Sequence, residues 1–100
     1  MKRLIFHPAV QREYNEALTY FEEEAGPAVA ARFEIEVKTA VRRVRDNPRQ
    51  FAYYLKNRTH RRVRPTSFPW VMLFRETGNM IRITVLKHEK RRQGYGLRRL

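Results

Sequence analysis

A chain of 100 residues, 42% of them hydrophobic, has room for one small domain with one modest core, which argues against a multidomain arrangement. The lack of cysteine rules out disulfides and thiolate metal sites and suits a reducing cytoplasm; no apolar run approaches the length of a membrane span, and residues 1–6 are too short for the apolar region of a secretory signal. A formal charge of +12 points to an anionic partner, either nucleic acid or an acidic protein segment.

Residues 2–6 read as a first strand, with Leu4 and Phe6 on one face and Ile5 on the other. His7-Pro8 ends it, because proline cannot donate to a sheet ladder yet suits the first turn of a helix. A helix is expected over residues 8–25, where Val10, Tyr14, Ala17, Leu18 and Phe21 form one apolar stripe. Gly26 closes it and Pro27 opens a second helix over residues 27–45. Val29, Phe33, Val37, Ala40, Val41 and Val44 make that helix's stripe, and Ile35 falls off it. The two helices form an antiparallel hairpin. The run Glu22-Glu23-Glu24 stands in the last turn, where the helix dipole disfavours it. It reads as a solvated face or as a partner for cations elsewhere.

Asp46-Asn47-Pro48 stops the second helix. Residues 46–59 are expected as a loop with at most one short helical turn. Phe51, Tyr53, Tyr54 and Leu55 are too apolar for a free loop. They either pack over a core edge or stand beside Lys56 and Arg58 to stack on bases or meet a partner. Strands follow over residues 60–65, 68–76 and 80–88, with Thr77-Gly78-Asn79 as a hairpin turn. In the last strand Ile81, Ile83 and Val85 are expected to alternate with Arg82, Thr84 and Leu86. Residues 89–100 are a basic tail whose end either docks or stays loose.

Charge is placed unevenly along this order. Residues 1–50 hold nine Lys/Arg against eight Asp/Glu, a balance of +1; residues 51–100 hold thirteen against two, a balance of +11. The first half therefore reads as scaffold and the second as the half that carries function. Solubility alone would not sort the charge in this way.

Several local patterns occur in a fixed order. They are Ala9-Val10-Gln11-Arg12-Glu13-Tyr14-Asn15-Glu16-Ala17-Leu18-Thr19-Tyr20-Phe21, the stop Arg45-Asp46-Asn47-Pro48, the pair Arg61-Arg62-Val63 and Phe68-Pro69-Trp70, and the closing Val85-Leu86-Lys87-His88 with Arg91, Arg92 and Tyr95. Together, over nearly the whole chain, they resemble the RelE/ParE superfamily of toxins from bacterial type II toxin–antitoxin systems. The resemblance implies an α+β fold, β-α-α-β-β-β, with the helical hairpin packed on a small antiparallel sheet. It also implies a cognate antitoxin with an acidic or amphipathic segment, a hetero-oligomer of the two, and no cofactor. Within the superfamily, ParE-like members poison DNA gyrase and RelE-like members cut mRNA on the ribosome. The long hairpin and the His88-x-x-Arg91-Arg92-x-Gly94-Tyr95 ending look more like the ParE side. Gly96 departs from that pattern, in which an aromatic residue often follows the tyrosine.

The two branches need different sites. Metal-free RNA cleavage requires a base, an acid and cations for the phosphorane charge. Arg61, Arg62, Arg75 and Lys87 are the candidate cations, and His88 and Tyr95 the candidate proton-transfer groups. Arg61 and Arg62 are adjacent, so only one can share a sheet face with the others. His88 is otherwise a strand-end histidine bonded to a carbonyl, and Tyr95 an aromatic packed on the sheet edge. A ParE-like inhibitor acts by binding and needs only surface. Its candidates are Arg62, Arg75, Arg82, Lys90, Arg91, Arg92 and Tyr95, with the hairpin tip at residues 24–27 as a further contact. Direct nucleic-acid binding is a third reading that charge favours. No helix is basic along one face, however, as a groove reader would be. His7 and His60 have no spacing that suggests metal, and Trp70 reads as core.

Overall fold

The computed structural model describes residues 2–56 and 58–100; Met1, and Asn57 within the expected loop, lie outside them. At the start of the chain, β1 (Arg3–Phe6) gives way to α1 (Pro8–Ala25) at His7. His7 is extended, and its Nδ1 accepts the Ala9 N–H at 3.0 Å, capping one of the helix's orphan donors. Pro8 fills the first turn, where a missing N–H costs nothing. Gly26, at φ +93°, ends α1 and begins α2 (Pro27–Asp46), a conformation that favours glycine over any side chain. Glu22, Glu23 and Glu24 are all exposed, which fits a solvated face.

After α2 come a 3-10 turn (Pro48–Gln50), β2 (Tyr53–Tyr54), β3 (His60–Val63), β4 (Trp70–Thr77) and β5 (Met80–His88). The sheet runs β1-β5-β4-β3-β2. The α+β fold is as expected, with differences of detail. β1 joins β5 in parallel, so the sheet is mixed rather than wholly antiparallel. β2 arises inside the expected loop because Tyr53 and Tyr54 pair with Arg61 and His60. β3 stops two residues short, before Pro65, which has no N–H to offer a ladder. β4 starts after Pro69 for the same reason and runs to Thr77.

The core lies between the helical hairpin and one sheet face. Phe33 is fully buried at its centre. Around it stand Phe21, Phe68, Trp70 and Tyr14, with ring centroids at 4.9, 5.1, 5.5 and 6.5 Å. Met72, Phe74, Ile81, Ile83 and Leu86 rise from the sheet to meet them. Phe51 joins this core edge-on to Phe74, as the packing expectation has it, whereas Tyr53 stays exposed under the guanidinium of Arg61. Ile35, off the stripe, is 63% exposed.

One irregularity decides which side chains face where. Leu73 lies opposite Val85 and Phe74 opposite Ile83, which leaves Thr84 as an extra residue in β5. The expected simple alternation therefore fails beyond Ile83. Leu86 takes the helix face, and Val85 and Lys87 turn to the second face. There Val71, Leu73 and Val85 form a small apolar strip covered by Tyr54, Tyr95 and Leu97. The tail docks instead of staying loose.

Candidate functional site

β1 ends at Phe6, so β5 beyond Ile83 has no strand on that side. Its backbone groups still need partners. The buried Glu13 of α1 supplies one: its Oε1 accepts the Leu86 N–H at 3.1 Å. The tail supplies another. Arg99 Nη1 donates to the Thr84 carbonyl, freed by the bulge, at 2.8 Å and to Glu13 Oε1 at 2.9 Å. Arg99 Nη2 donates to Glu13 Oε2 at 2.6 Å, and the Tyr95 hydroxyl donates to the same oxygen. This is a bidentate fork with both carboxylate oxygens satisfied. Burial alone would raise the Glu13 pKa, but the bonds from Arg99, Tyr95 and the Leu86 N–H overturn it and hold the carboxyl below its usual 4.5.

Gly96 lets the tail lie this close. Its φ is +75°, and a Cβ there would stand 2.5 Å from Val85 Cγ2. An aromatic residue at this position would lift the segment off the sheet, so the departure from the superfamily pattern has a steric reason.

Beside this junction lies a cleft between α1 and the end of β5, lined among others by Glu13, Trp70, Lys87, His88, Arg91 and Tyr95. It brings together three of the proposed catalytic residues. Two of them are occupied with the fold. Lys87 is 2% exposed, and its Nζ donates to the Tyr54 hydroxyl at 2.8 Å and to the Arg92 carbonyl at 3.0 Å. Tyr95 is held by Glu13. His88 lies edge-on to Trp70, and its Nδ1 accepts the Lys90 N–H at 3.1 Å, which replaces the expected bond to a carbonyl.

The other candidates stand elsewhere. Arg61 is on the helix face, where it donates to the Phe51 carbonyl at 2.7 Å and the Tyr53 hydroxyl at 3.0 Å. Arg62 is exposed on the second face, in register with Leu73. Arg75 and Arg82 lie directly opposite each other on that same face, both half-buried. Lys90, Arg91 and Arg92 are exposed on the turn after β5, with Arg91 over the Tyr95 ring at 4.1 Å. Arg61 apart, the expected residues thus form two groups: one around the cleft and the adjoining turn, one on the second sheet face.

His60, buried in β3, has Nδ1 2.9 Å from the Thr59 hydroxyl; burial, and then the Arg75 charge, push its pKa down. No group of three or more His, Asp or Glu side chains able to hold a metal is gathered among the described residues. Sequence reasoning did not single out Glu13 and Arg99 as a pair. Glu13 carried a signal, since it lies one turn from both Ala9 and Ala17, at a buried position. Arg99 carried none.

Residues 4–93 match the family model described as the ParE toxin of type II toxin–antitoxin systems, parDE. Among solved structures, the fold resembles a chain described as "Chromosomal ParDE TA system from P. aeruginosa", with a TM-score of 0.76 and 17% identity over 88% of this chain and 96% of that one. No curated protein sequence matches. At that identity the structural likeness speaks for the fold alone, while the family match spans most of the chain. The protein belongs to the ParE toxin family and is the toxin component of a type II toxin–antitoxin system.

Proposed function

We propose that this toxin inhibits growth by binding DNA gyrase in the cytoplasm, and that a cognate antitoxin neutralises it in a hetero-oligomer. One observation carries the choice of a binding inhibitor over an RNA-cleaving one. The Lys87 amine, the Tyr95 hydroxyl and the Arg61 guanidinium are all engaged in bonds inside the fold, so none of these three candidates stands free to work with His88 in RNA cleavage. The exposed cations Lys90, Arg91, Arg92 and Arg62 remain available for a target surface. An apolar trough beside the helices, lined by Phe6, Val10, Tyr14, Val37 and Val41 and fringed by Lys38 and Arg42, suits an amphipathic acidic antitoxin segment.

The test is plasmid supercoiling by purified gyrase in the presence of the toxin freed of antitoxin. Lost supercoiling or trapped linear plasmid supports the proposal. Full gyrase activity at excess toxin sinks it and redirects attention to codon-phased mRNA cuts on translating ribosomes. On that ribosome reading Arg62→Ala, His88→Ala and Tyr95→Ala would abolish the cuts.

A further inference from the structure

Only three buried side-chain nitrogens among the described residues lack a hydrogen-bond partner: His60 Nε2, Arg75 Nε and Arg82 Nε. They belong to one row of the sheet. Arg75 and Arg82 are register partners on β4 and β5. His60 precedes Arg61, which pairs with Phe74, so it stands beside Arg75 on β3. Strand alternation puts all three on the second face.

The arrangement is costly as it stands. Like charges directly opposite on neighbouring strands repel. Half-buried guanidinium N–H groups without partners lose the hydrogen bonds they had to water. Among the described residues no carboxylate forms an ion pair with Arg75 or Arg82, and Arg75 Nη2 donates only to the Arg99 carbonyl, at a long 3.4 Å. The Thr59 hydroxyl lies 2.9 Å from His60 Nδ1, and in the tautomer that accepts from it the neutral ring carries its proton on Nε2 and offers a third donor.

We infer that the Arg75–Arg82 pair, flanked by His60, is a binding site for a tetrahedral phosphate oxyanion. The charge fits: a phosphate dianion balances two guanidinium groups, where one carboxylate would leave a cation over. A guanidinium offers Nε–H and Nη–H side by side and phosphate accepts such a fork, so an anion that reaches the two enclosed Nε–H groups meets a matching pair of donors. The site uses neither the cleft nor the turn at residues 90–92, and although Arg75 and Arg82 also stand among the residues expected to bind a target, the inorganic phosphate response tests the site without gyrase. The phosphate has two possible sources, a free phosphate or the backbone of a single-stranded nucleic acid.

The experiment follows thermal unfolding of the full chain in inorganic phosphate, with chloride holding ionic strength constant. A saturable rise in Tm is expected for the wild type. Arg82→Gln should weaken the phosphate response about tenfold or more, the loss of one charged hydrogen-bonding partner. Arg75→Lys should weaken it too, since it keeps the charge but loses the fork. Arg92→Gln removes the same charge from the exposed turn and should leave the response intact. A fluorescent single-stranded DNA oligonucleotide separates the sources. Affinity lost chiefly in Arg82→Gln assigns the phosphate to a nucleic-acid backbone. Equal losses in Arg82→Gln and Arg92→Gln, with the inorganic phosphate response still confined to the row, assign it to free phosphate. Three results overturn the site: no saturable stabilisation by inorganic phosphate, equal reduction of that stabilisation by Arg82→Gln and Arg92→Gln, or acetate matching phosphate.

Discussion

The helix face of the sheet is closed by hydrocarbon, from Phe33 outward through Phe21, Phe68 and Trp70, whereas the opposite face is closed by a short strip of apolar side chains and a tail tied down by Glu13 and Arg99. The first closure is spread over many contacts, each individually small. The second is concentrated in one ion pair. A distributed closure tolerates local change in proportion to the volume lost. A concentrated one fails at a point, because the partner left behind is a buried charge. The tail side also leaves the cations Arg62, Lys90, Arg91 and Arg92 exposed.

The comparison is broken most severely from the helix side. Phe33→Ala should cost about 3–5 kcal/mol, a large part of a small domain's stability. Denaturant unfolding that shows a loss below about 1 kcal/mol would mean the core can collapse around the gap. From the tail side, Glu13→Gln should cost roughly 3 kcal/mol, since it strands Arg99 and loosens Tyr95. A double-mutant cycle with Arg99→Gln should show strong coupling, and additive losses would contradict the ion pair as described. Gly96→Ala should cost about 1–3 kcal/mol through its positive φ and the clash with Val85, and should expose the tail to protease. An uncleaved tail in this variant would remove the steric account.

Acid sharpens the same contrast. The Glu13 pKa is lower in the folded chain than its ordinary 4.5, so the unfolded chain takes up the proton first as pH falls. The stabilisation is complete above about pH 4.5 and is lost as pH drops through the folded value. Glu13→Gln should lack this acid limb, and an unchanged pH profile would show that the carboxylate is not what titrates. His60, also depressed, works in the same direction but starts nearer its ordinary 6.5, as burial resists its protonation. At the small end, Ile35→Glu on the exposed flank of α2 should move stability by less than about 0.5 kcal/mol. A larger loss would mean that this flank is covered in the protein as it exists in solution.

Much of the helix side was legible in the sequence, and much of the tail side was not. Apolar spacing announced the stripes of α1 and α2, and Pro8, Gly26, Pro27 and Pro48 marked their ends, because these are local properties of the chain. The superfamily order of motifs supplied the order of the elements, though not the parallel pairing of β1 with β5. The bulge at Thr84 left no trace: nothing in Ile83-Thr84-Val85-Leu86 shows that alternation skips a residue, and it reversed the expected faces of Val85 and Leu86. The aromatic run after Pro48 gave no hint that Tyr53 and Tyr54 pair as a strand. Glu13 and Arg99 lie 86 residues apart, so no local pattern relates them. The same holds for the row His60, Arg75 and Arg82, whose members meet only through strand register.

That separation also bears on lifetime. β1 must find β5, pairing Leu4 with Ile81, and Glu13 must find Arg99, so closing the molecule from both ends is a slow, long-range event. An ion pair between such distant elements is expected to form after the transition state and therefore to act on the unfolding rate. Weakening the Glu13–Arg99 pair should shorten how long a folded molecule persists while barely changing how fast new ones fold. For a toxin released from its antitoxin, that persistence is the interval in which it can find a target before proteases find it.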